Sequence, residues 1–175
     1  MATDKKSASA GFGQNSRPAT RSLFSRAIDY LSRREYSRAE LWRKLEPHAE
    51  SAEALEAVLA RLVEAGYQSD ERFAEQYAHA KGQRHGGLRL SYDLRQKGVA
   101  ESLIKQAVAN HDDKAVARQL WQKKFKAAPS TQQEKAKQIR YLASRGIPPN
   151  LIFSLLKEVG AADFDDEQWQ TEVED

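Results

Sequence analysis

Apolar residues recur at intervals of three and four along almost the whole chain from Arg21 to Gly160. This spacing places them on one face of successive α-helices. No segment alternates apolar and polar residues over a useful length, as a half-buried strand would. The pattern therefore predicts an all-α protein without β-strands.

Capping residues and glycines mark where these helices begin and end. Ser37 and Glu40 have the spacing of a capping box, in which each side chain binds a free N–H group of the other residue. Thr131 and Glu134 have the same spacing. Three glycines follow apolar runs, where a left-handed residue can end a helix: Gly66, Gly98 and Gly146. These signals predict nine helices.

An internal repeat organises the helices into units. The segments LRQKGVAESLIKQAV (94–108) and LASRGIPPNLIFSLL (142–156) align with an offset of 48 residues, so that Leu94 matches Leu142. Leu45 takes the same place 49 residues before Leu94, although a longer loop replaces the glycine. Since a unit of about 50 residues buries little surface alone, neighbouring units must stack. We predict three tandem three-helix repeats stacked into an elongated, curved body.

Composition sets the expected boundaries. Residues 1–20 are small, polar and aperiodic, which is typical of a disordered arm. The three units are predicted at 21–66, 67–110 and 111–160, and residues 161–175 form an acidic tail.

Charge is distributed unevenly between these segments. The formal net charge of +3 includes +6 in residues 111–160 and −7 in residues 161–175. A basic body with an acidic tail indicates contact with nucleic acid or an acidic protein surface, with the tail as a competitor. A solvated surface with a frayed end explains the charges equally well. Trp169, in DFDDEQWQ, is either a docking element or part of a capping helix.

Several protein classes are disfavoured. The chain has no cysteine, which excludes disulfides and thiol catalysis and suits a reducing cytoplasm. It has neither a secretory signal nor a run of 18 apolar residues, so we expect a cytoplasmic protein outside the membrane. The four histidines are scattered, and no nucleophile, base and orienting group come together in the pattern. We expect no catalysis, metal or cofactor, and Gly86-Gly87 is interpreted as a hinge or helix start rather than a phosphate loop.

Basic side chains collect in residues 81–97 and near residue 140. The candidates for a surface that faces a partner are Lys81, Arg84, Arg89, Arg95, Lys97, Arg140 and Arg145, with Lys135 and Lys137 beside them. Such a stripe would contact phosphates or an acidic protein face without reading bases. The alternative is an ordinary solvated helix face. The aromatic residues on apolar stripes are assigned to the core: Tyr30, Trp42, Tyr77 and Trp121.

Taken together, four segments resemble the RecX family, which regulates the bacterial RecA recombinase. They are RAELWRKL (38–45), GYQSDERFA (66–74), GLRLSYDLRQKGV (87–99) and RYLASRG (140–146). The resemblance runs from about Ala27 to Leu156. It departs from the family pattern at Ser69, where an acidic residue is usual, although serine still caps a helix.

The resemblance implies an all-helical tandem repeat without catalytic activity of its own. It also implies binding to RecA, chiefly as the nucleoprotein filament on single-stranded DNA, and inhibition of RecA activities in homologous recombination, DNA repair and the SOS response. We expect a monomer that lodges in the filament groove across neighbouring subunits. The alternative is a helical-repeat protein that binds single-stranded nucleic acid directly.

Overall fold

The computed structural model describes residues 21–160, which contain nine α-helices, one short 3-10 turn and no strand. The helices are α1 (Leu23–Leu31), α2 (Arg38–Leu45), α3 (Ala52–Glu64), α4 (Asp70–Gly82), α5 (Gly87–Gln96), α6 (Glu101–Val108), α7 (Asp113–Lys124), α8 (Gln132–Ser144) and α9 (Pro149–Glu158). They form unit 1 (α1–α3), unit 2 (α4–α6) and unit 3 (α7–α9). The predicted all-α class and three-helix repeat are confirmed. The predicted N-terminal arm and acidic tail lie outside the described residues.

Hydroxyl side chains cap five of the nine helices at their N-termini. Each accepts a hydrogen bond from the N–H group three residues later: Ser22, Ser37, Ser51, Ser69 and Thr131. The reciprocal half of the predicted capping box differs at α2, because the Glu40 carboxylate binds Arg34 and Lys97. At α8 the Glu134 carboxylate accepts from the N–H and hydroxyl of Ser130.

Each unit keeps its own apolar cluster. The repeated leucines predicted from the sequence, Leu45, Leu94 and Leu142, are fully buried, one in each cluster. Burial of one such side chain contributes about 1.5–3 kcal/mol. Of the four aromatic residues assigned to the core, Trp121 is buried, and the others are half-buried against these clusters: Tyr30, Trp42 and Tyr77. The units therefore stack without merging their cores.

Polar contacts join unit 1 to unit 2 at the N-terminus of α2. The Ser37 hydroxyl donates to the main-chain carbonyl of Lys97 at 2.7 Å. The next N–H group, that of Arg38, donates to the Asp70 carboxylate at 2.7 Å. Asp70 is the first residue of α4. Unit 2 thus satisfies N–H and hydroxyl groups at the positive end of the α2 dipole.

The same joint recurs between unit 2 and unit 3. The Gly86 N–H donates to the main-chain carbonyl of Arg145 at 2.8 Å. The Gly87 N–H donates to the carboxylate of Asp113, the first residue of α7, at 2.7 Å. Gly86 and Gly87 therefore begin α5 at a close approach between units, in agreement with their interpretation as a helix start.

A third contact of the joint is also repeated, with different chemistry. The Gln68 amide donates to the Tyr36 carbonyl at 3.2 Å and to the Asp70 carboxylate at 2.8 Å. In the second joint, His111 Nε2 lies 3.0 Å from the His85 carbonyl. Gln68 and His111 each stand two residues before the aspartate of their joint, and both bind the residue before the helix cap.

Glycine makes the close approach possible in both joints. A Cβ atom on Gly98 would lie 2.6 Å from Ala39 Cβ, and one on Gly146 would lie 2.3 Å from the Arg89 nitrogen. Both glycines also have positive φ values, 77° and 80°, which favour glycine. The turn before the third helix of one unit is thereby fixed against the second helix of the preceding unit.

Candidate interaction surface

Helix α5 lies between the two joints and presents two contrasting faces. Leu90 and Leu94 point inward and are fully buried. On the opposite side Leu88 and Tyr92, one turn apart, are 56% and 51% exposed. Sequence reasoning missed this exposed pair. Its signal was the four-residue spacing of two large apolar residues on the side away from the buried leucines.

Three predicted basic residues converge around His85 at the second joint. Burial lowers the pKa of His85 below its ordinary value, and the positive charge of Arg145 lowers it further. Arg89 and Lys81 also lower this pKa, whereas the negative charge of Asp93 raises it. These cations come from both unit 2 and unit 3. The second joint thus brings Arg145 of unit 3 near Arg89 and Lys81 of unit 2, and these three residues are here called the basic cluster.

Lys97 has a different place from the one predicted. Its ammonium group pairs with the Glu40 carboxylate of unit 1 at 2.8 Å and is only partly exposed. Glu40 also accepts from Arg34 at 3.0 Å. Burial acts to raise the pKa of Glu40, but the hydrogen bonds from Lys97 and Arg34 outweigh it, and the pKa lies below its ordinary value. Lys97 therefore reinforces the first joint.

Arg89 is tied into a second polar network on unit 2. Its Nε pairs with the Asp93 carboxylate at 3.0 Å, and its guanidinium carbon lies 5.5 Å from the centre of the Tyr92 ring. Asp93 accepts a hydrogen bond of 3.1 Å from the Tyr77 hydroxyl. Burial, followed by this hydrogen bond, raises the pKa of Tyr77 to about 12. The network holds Arg89 beside the exposed Tyr92.

The remaining candidate basic residues differ in whether a carboxylate already pairs with them. Arg95 forms a forked ion pair with Glu101, at 2.9 Å for its shortest contact. Within residues 21–160, three exposed candidates take part in no ion pair: Lys81, Arg84 and Arg140. Arg145 is half-buried and lies 5.3 Å from the centre of the Tyr141 ring. The candidates therefore have different environments: Lys81, Arg89 and Arg145 form the basic cluster, and Arg84 and Arg140 are further exposed cations.

The two lysines placed beside the stripe have opposite environments. Lys137 is exposed, whereas Lys135 is only 5% exposed on the inner side of α8. The prediction of Lys135 as a surface cation is wrong. The reason is its register, since Lys135 stands four residues before the buried Ile139 and seven before Leu142.

Two further expectations concern metals and membranes. Within residues 21–160, no group of three or more histidine, aspartate or glutamate side chains is placed to hold a metal ion. In the same part of the chain, no helix has both the length and the apolar character needed to cross a membrane.

Comparison with protein families gives three consecutive matches. Family models described as the first, second and third three-helix domains of RecX match residues 24–62, 69–108 and 112–156. The chain is 46% identical to the regulatory protein RecX of Chromobacterium violaceum over 145 residues, and this alignment covers 83% of this chain and 94% of that protein. It is 42% identical over 151 residues to the regulatory protein RecX of Neisseria meningitidis serogroup C, where the alignment covers 86% of this chain and 95% of that protein.

Solved structures share the fold. The crystal structure of RecX from Lactobacillus salivarius superposes with a TM-score of 0.66 at 18% identity, covering 78% of this chain and 94% of that chain. A second crystal structure of a regulatory protein RecX superposes with a TM-score of 0.69 at 23% identity, and the match covers 78% of this chain and 71% of that chain.

Proposed function

Starting from the fact that the chain belongs to the RecX family, we propose that it binds the RecA nucleoprotein filament in the cytoplasm and inhibits its activities. The inhibited activities would be strand exchange, ATP hydrolysis and coprotease stimulation. Support comes from the family membership and from relatives at 37–46% identity that carry the name regulatory protein RecX. The chain would act as a monomer.

The observation that carries this proposal is the repeated joint. Each joint binds the N-terminus of α2 or α5 through a main-chain carbonyl and a carboxylate of the next unit. Such contacts fix the order and spacing of the three units. Since packed helices lie about 8–10 Å apart, three units that each advance two helix widths would span ~60 Å. A compact globule of the same length would have a diameter of roughly 37 Å.

A long, fixed body suits a repeating partner. It can touch two or more neighbouring subunits of a filament at once, and each contact raises the effective concentration of the next. An assembled filament would therefore bind more tightly than a free RecA monomer. A body lodged between subunits would oppose the rearrangements that filament growth and ATP hydrolysis require.

The basic cluster supplies a chemically suitable contact. Lys81 is exposed beside Arg89 and Arg145, and the three together form a positive surface across the second joint. Exposed cations attract phosphates or an acidic protein face and accelerate encounter more than they add to affinity. Arg84 lies three residues from Lys81 on the same segment and would extend this surface.

A second candidate function is direct binding of single-stranded nucleic acid. The exposed Tyr92 ring beside Arg89 favours it, because nucleobases stack on such rings and their phosphates pair with nearby cations. Binding of this kind to bare DNA would weaken steeply as salt rises. Filament binding that persists without binding to bare DNA would exclude this alternative.

The test reverses two exposed charges. We expect the double variant Lys81→Glu, Arg84→Glu to bind RecA filaments on labelled single-stranded DNA about tenfold more weakly, on the order of 1.4 kcal/mol. The matched control is Lys123→Glu, Lys124→Glu, which makes the same charge change at the exposed end of α7. Equal affinities of both variants and the unchanged protein would refute the assigned surface. Equal affinity for RecA monomer and filament would refute the multi-subunit contact.

A further inference from the structure

The exposed apolar pair on α5, Leu88 and Tyr92, belongs to none of the three apolar clusters of the described residues. Within helices α4–α9, Leu88 and Tyr92 are the large hydrophobic side chains that remain exposed. They lie beside Arg89, whose guanidinium group is held over the Tyr92 ring. A ligand that offers both an apolar group and negative charge would therefore complement this face.

The chain itself contains a segment of that chemistry. Residues 161–175 carry seven acidic residues and no basic ones, together with Phe164 and Trp169. Three acidic residues, Asp165, Asp166 and Glu167, stand shortly before the tryptophan. The tail lies outside the described residues, but its composition complements the Leu88–Tyr92 face in both charge and hydrophobicity.

The point where the described chain ends is close to α5. Glu158, in the last turn of α9, pairs with the Lys114 ammonium group at 3.1 Å. Lys114 follows Asp113, which accepts a hydrogen bond from the first residue of α5, Gly87, at 2.7 Å. Nine extended residues from Ala161 to Trp169 span roughly 30 Å. The tail can therefore reach the exposed face of α5 from its own attachment point.

A second exposed apolar pair makes a weaker site. Val63, near the end of α3, and Tyr67, in the turn that follows, are also exposed. Residues 21–66, which include Val63, have no net charge, whereas residues 67–110 and 111–160 carry +2 and +6. An acidic segment is therefore attracted to the second joint.

We propose that the acidic tail binds the Leu88–Tyr92 face of its own molecule, with Trp169 on the apolar pair and its carboxylates beside Arg89, Arg145 and Lys81. Since the contact is intramolecular, its effective concentration is in the millimolar range for a short linker, and weak contacts suffice. The tail would then compete with RecA for the basic cluster. This regulatory consequence rests on the proposed function, whereas the contact itself does not.

The contact can be measured without RecA. Because the chain has no cysteine, the substitution Gln170→Cys in the full chain provides a single site for a nitroxide spin label. We expect amide signals of residues 88–93 and 145–146 to lose intensity, and to recover in about 0.5 M salt, where charge attraction is screened. Intensity loss confined to the last turn of α9 would overturn the proposal.

Paired surface variants locate the binding face. We expect Leu88→Ser, Tyr92→Ser to abolish the intensity loss, and the control Val63→Ser, Tyr67→Ser to leave it unchanged, with helicity checked by circular dichroism. The reverse result would place the tail on unit 1 and refute the assignment. Isotope-labelled protein mixed with separate spin-labelled copies should show no intensity loss. A loss in that mixture would show contact between molecules and refute the intramolecular contact.

The regulatory part has its own readout. Neutralising the tail by Asp165→Asn, Asp166→Asn and Glu167→Gln should tighten filament binding several-fold. Unchanged affinity, together with the nitroxide effect, would refute competition but leave the tail contact intact. A protein that shows the nitroxide effect but binds no filament in any form would refute the proposed function alone.

Discussion

The Ser37 hydroxyl donates a hydrogen bond of 2.7 Å to the main-chain carbonyl of Lys97, sixty residues further along the chain. The same oxygen accepts from the Glu40 N–H at 3.1 Å. One fully buried hydroxyl therefore caps α2 and also binds unit 1 to unit 2. At the second joint a main-chain N–H, that of Gly86, makes the corresponding bond to Arg145.

Removing the Ser37 hydroxyl should lower the free energy of unfolding more than removing an ordinary helix cap does. We expect Ser37→Ala to lower the free energy of unfolding by about 2 kcal/mol, from the lost cap and the lost buried hydrogen bond. Ser51→Ala removes an exposed cap alone and should cost about 1 kcal/mol. Urea unfolding followed by circular dichroism measures both. Equal losses would mean that the Lys97 contact contributes nothing.

Gly146→Ala should open the second joint. The added Cβ would meet Arg89 in a left-handed backbone position, whereas Gly66→Ala introduces the same backbone strain with no atom within 4 Å. We expect Gly66→Ala to lower the free energy of unfolding by about 1–2 kcal/mol. Gly146→Ala should lower it by at least about 1 kcal/mol more. The Gly86 amide, bound to the Arg145 carbonyl, should lose its protection from hydrogen exchange only in the Gly146 variant. Retained protection would contradict the close approach.

Tyr77 should make the fold sensitive to high pH. Since the folded pKa of Tyr77 is raised from 10.0 to about 12, its stabilisation is complete below pH 10 and is lost as pH rises toward 12. Tyr77→Phe should cost about 1 kcal/mol at neutral pH and lack this alkaline loss. Tyr67→Phe, at an exposed tyrosine, controls for loss of a hydroxyl. Identical alkaline unfolding curves for the Tyr77 variant and the unchanged protein would contradict the Asp93 contact.

The Glu40–Lys97 ion pair should make the stability of the first joint decrease at low pH. Because the pKa of Glu40 is lowered from 4.5, its contribution is present above that pH and is lost as pH falls below it. A double-mutant cycle of Glu40→Gln and Lys97→Met should give a coupling of about 1 kcal/mol at pH 7 that disappears in acid. The exposed Arg95–Glu101 pair provides the comparison and should couple more weakly. Coupling that persists below the folded pKa would disprove the assigned charge interaction.

Local signals predicted most of the fold. Leu45, Leu94 and Leu142 revealed the repeat because helical spacing and the following turn recur with nearly constant offset. The joints could not be read from the same pattern. Gln68 and His111 occupy equivalent places but share no chemistry, and each binds a main-chain carbonyl that belongs to another unit. A hydrogen bond to a main-chain carbonyl does not depend on the side chain of the residue that carries it, so the sequence of that residue does not reveal the contact.

The environments of the candidate basic residues were predicted only in part. Lys81, Arg89 and Arg145 do converge, but Lys97 is paired across the first joint. A basic residue in a sequence does not reveal whether a carboxylate from another unit will neutralise it. The surface position predicted for Lys135 was wrong, because the helical register of α8 places it on the same face as the buried Ile139.

Binding to the RecA filament is tested by the rate of ATP hydrolysis by RecA on single-stranded DNA in the presence of this protein. We expect hydrolysis to slow at protein amounts below one per RecA subunit, since one body would contact several subunits. The Lys81→Glu, Arg84→Glu variant should require about tenfold more protein for the same effect. An unchanged rate at all amounts of the unmodified protein would contradict inhibition of the filament by this protein.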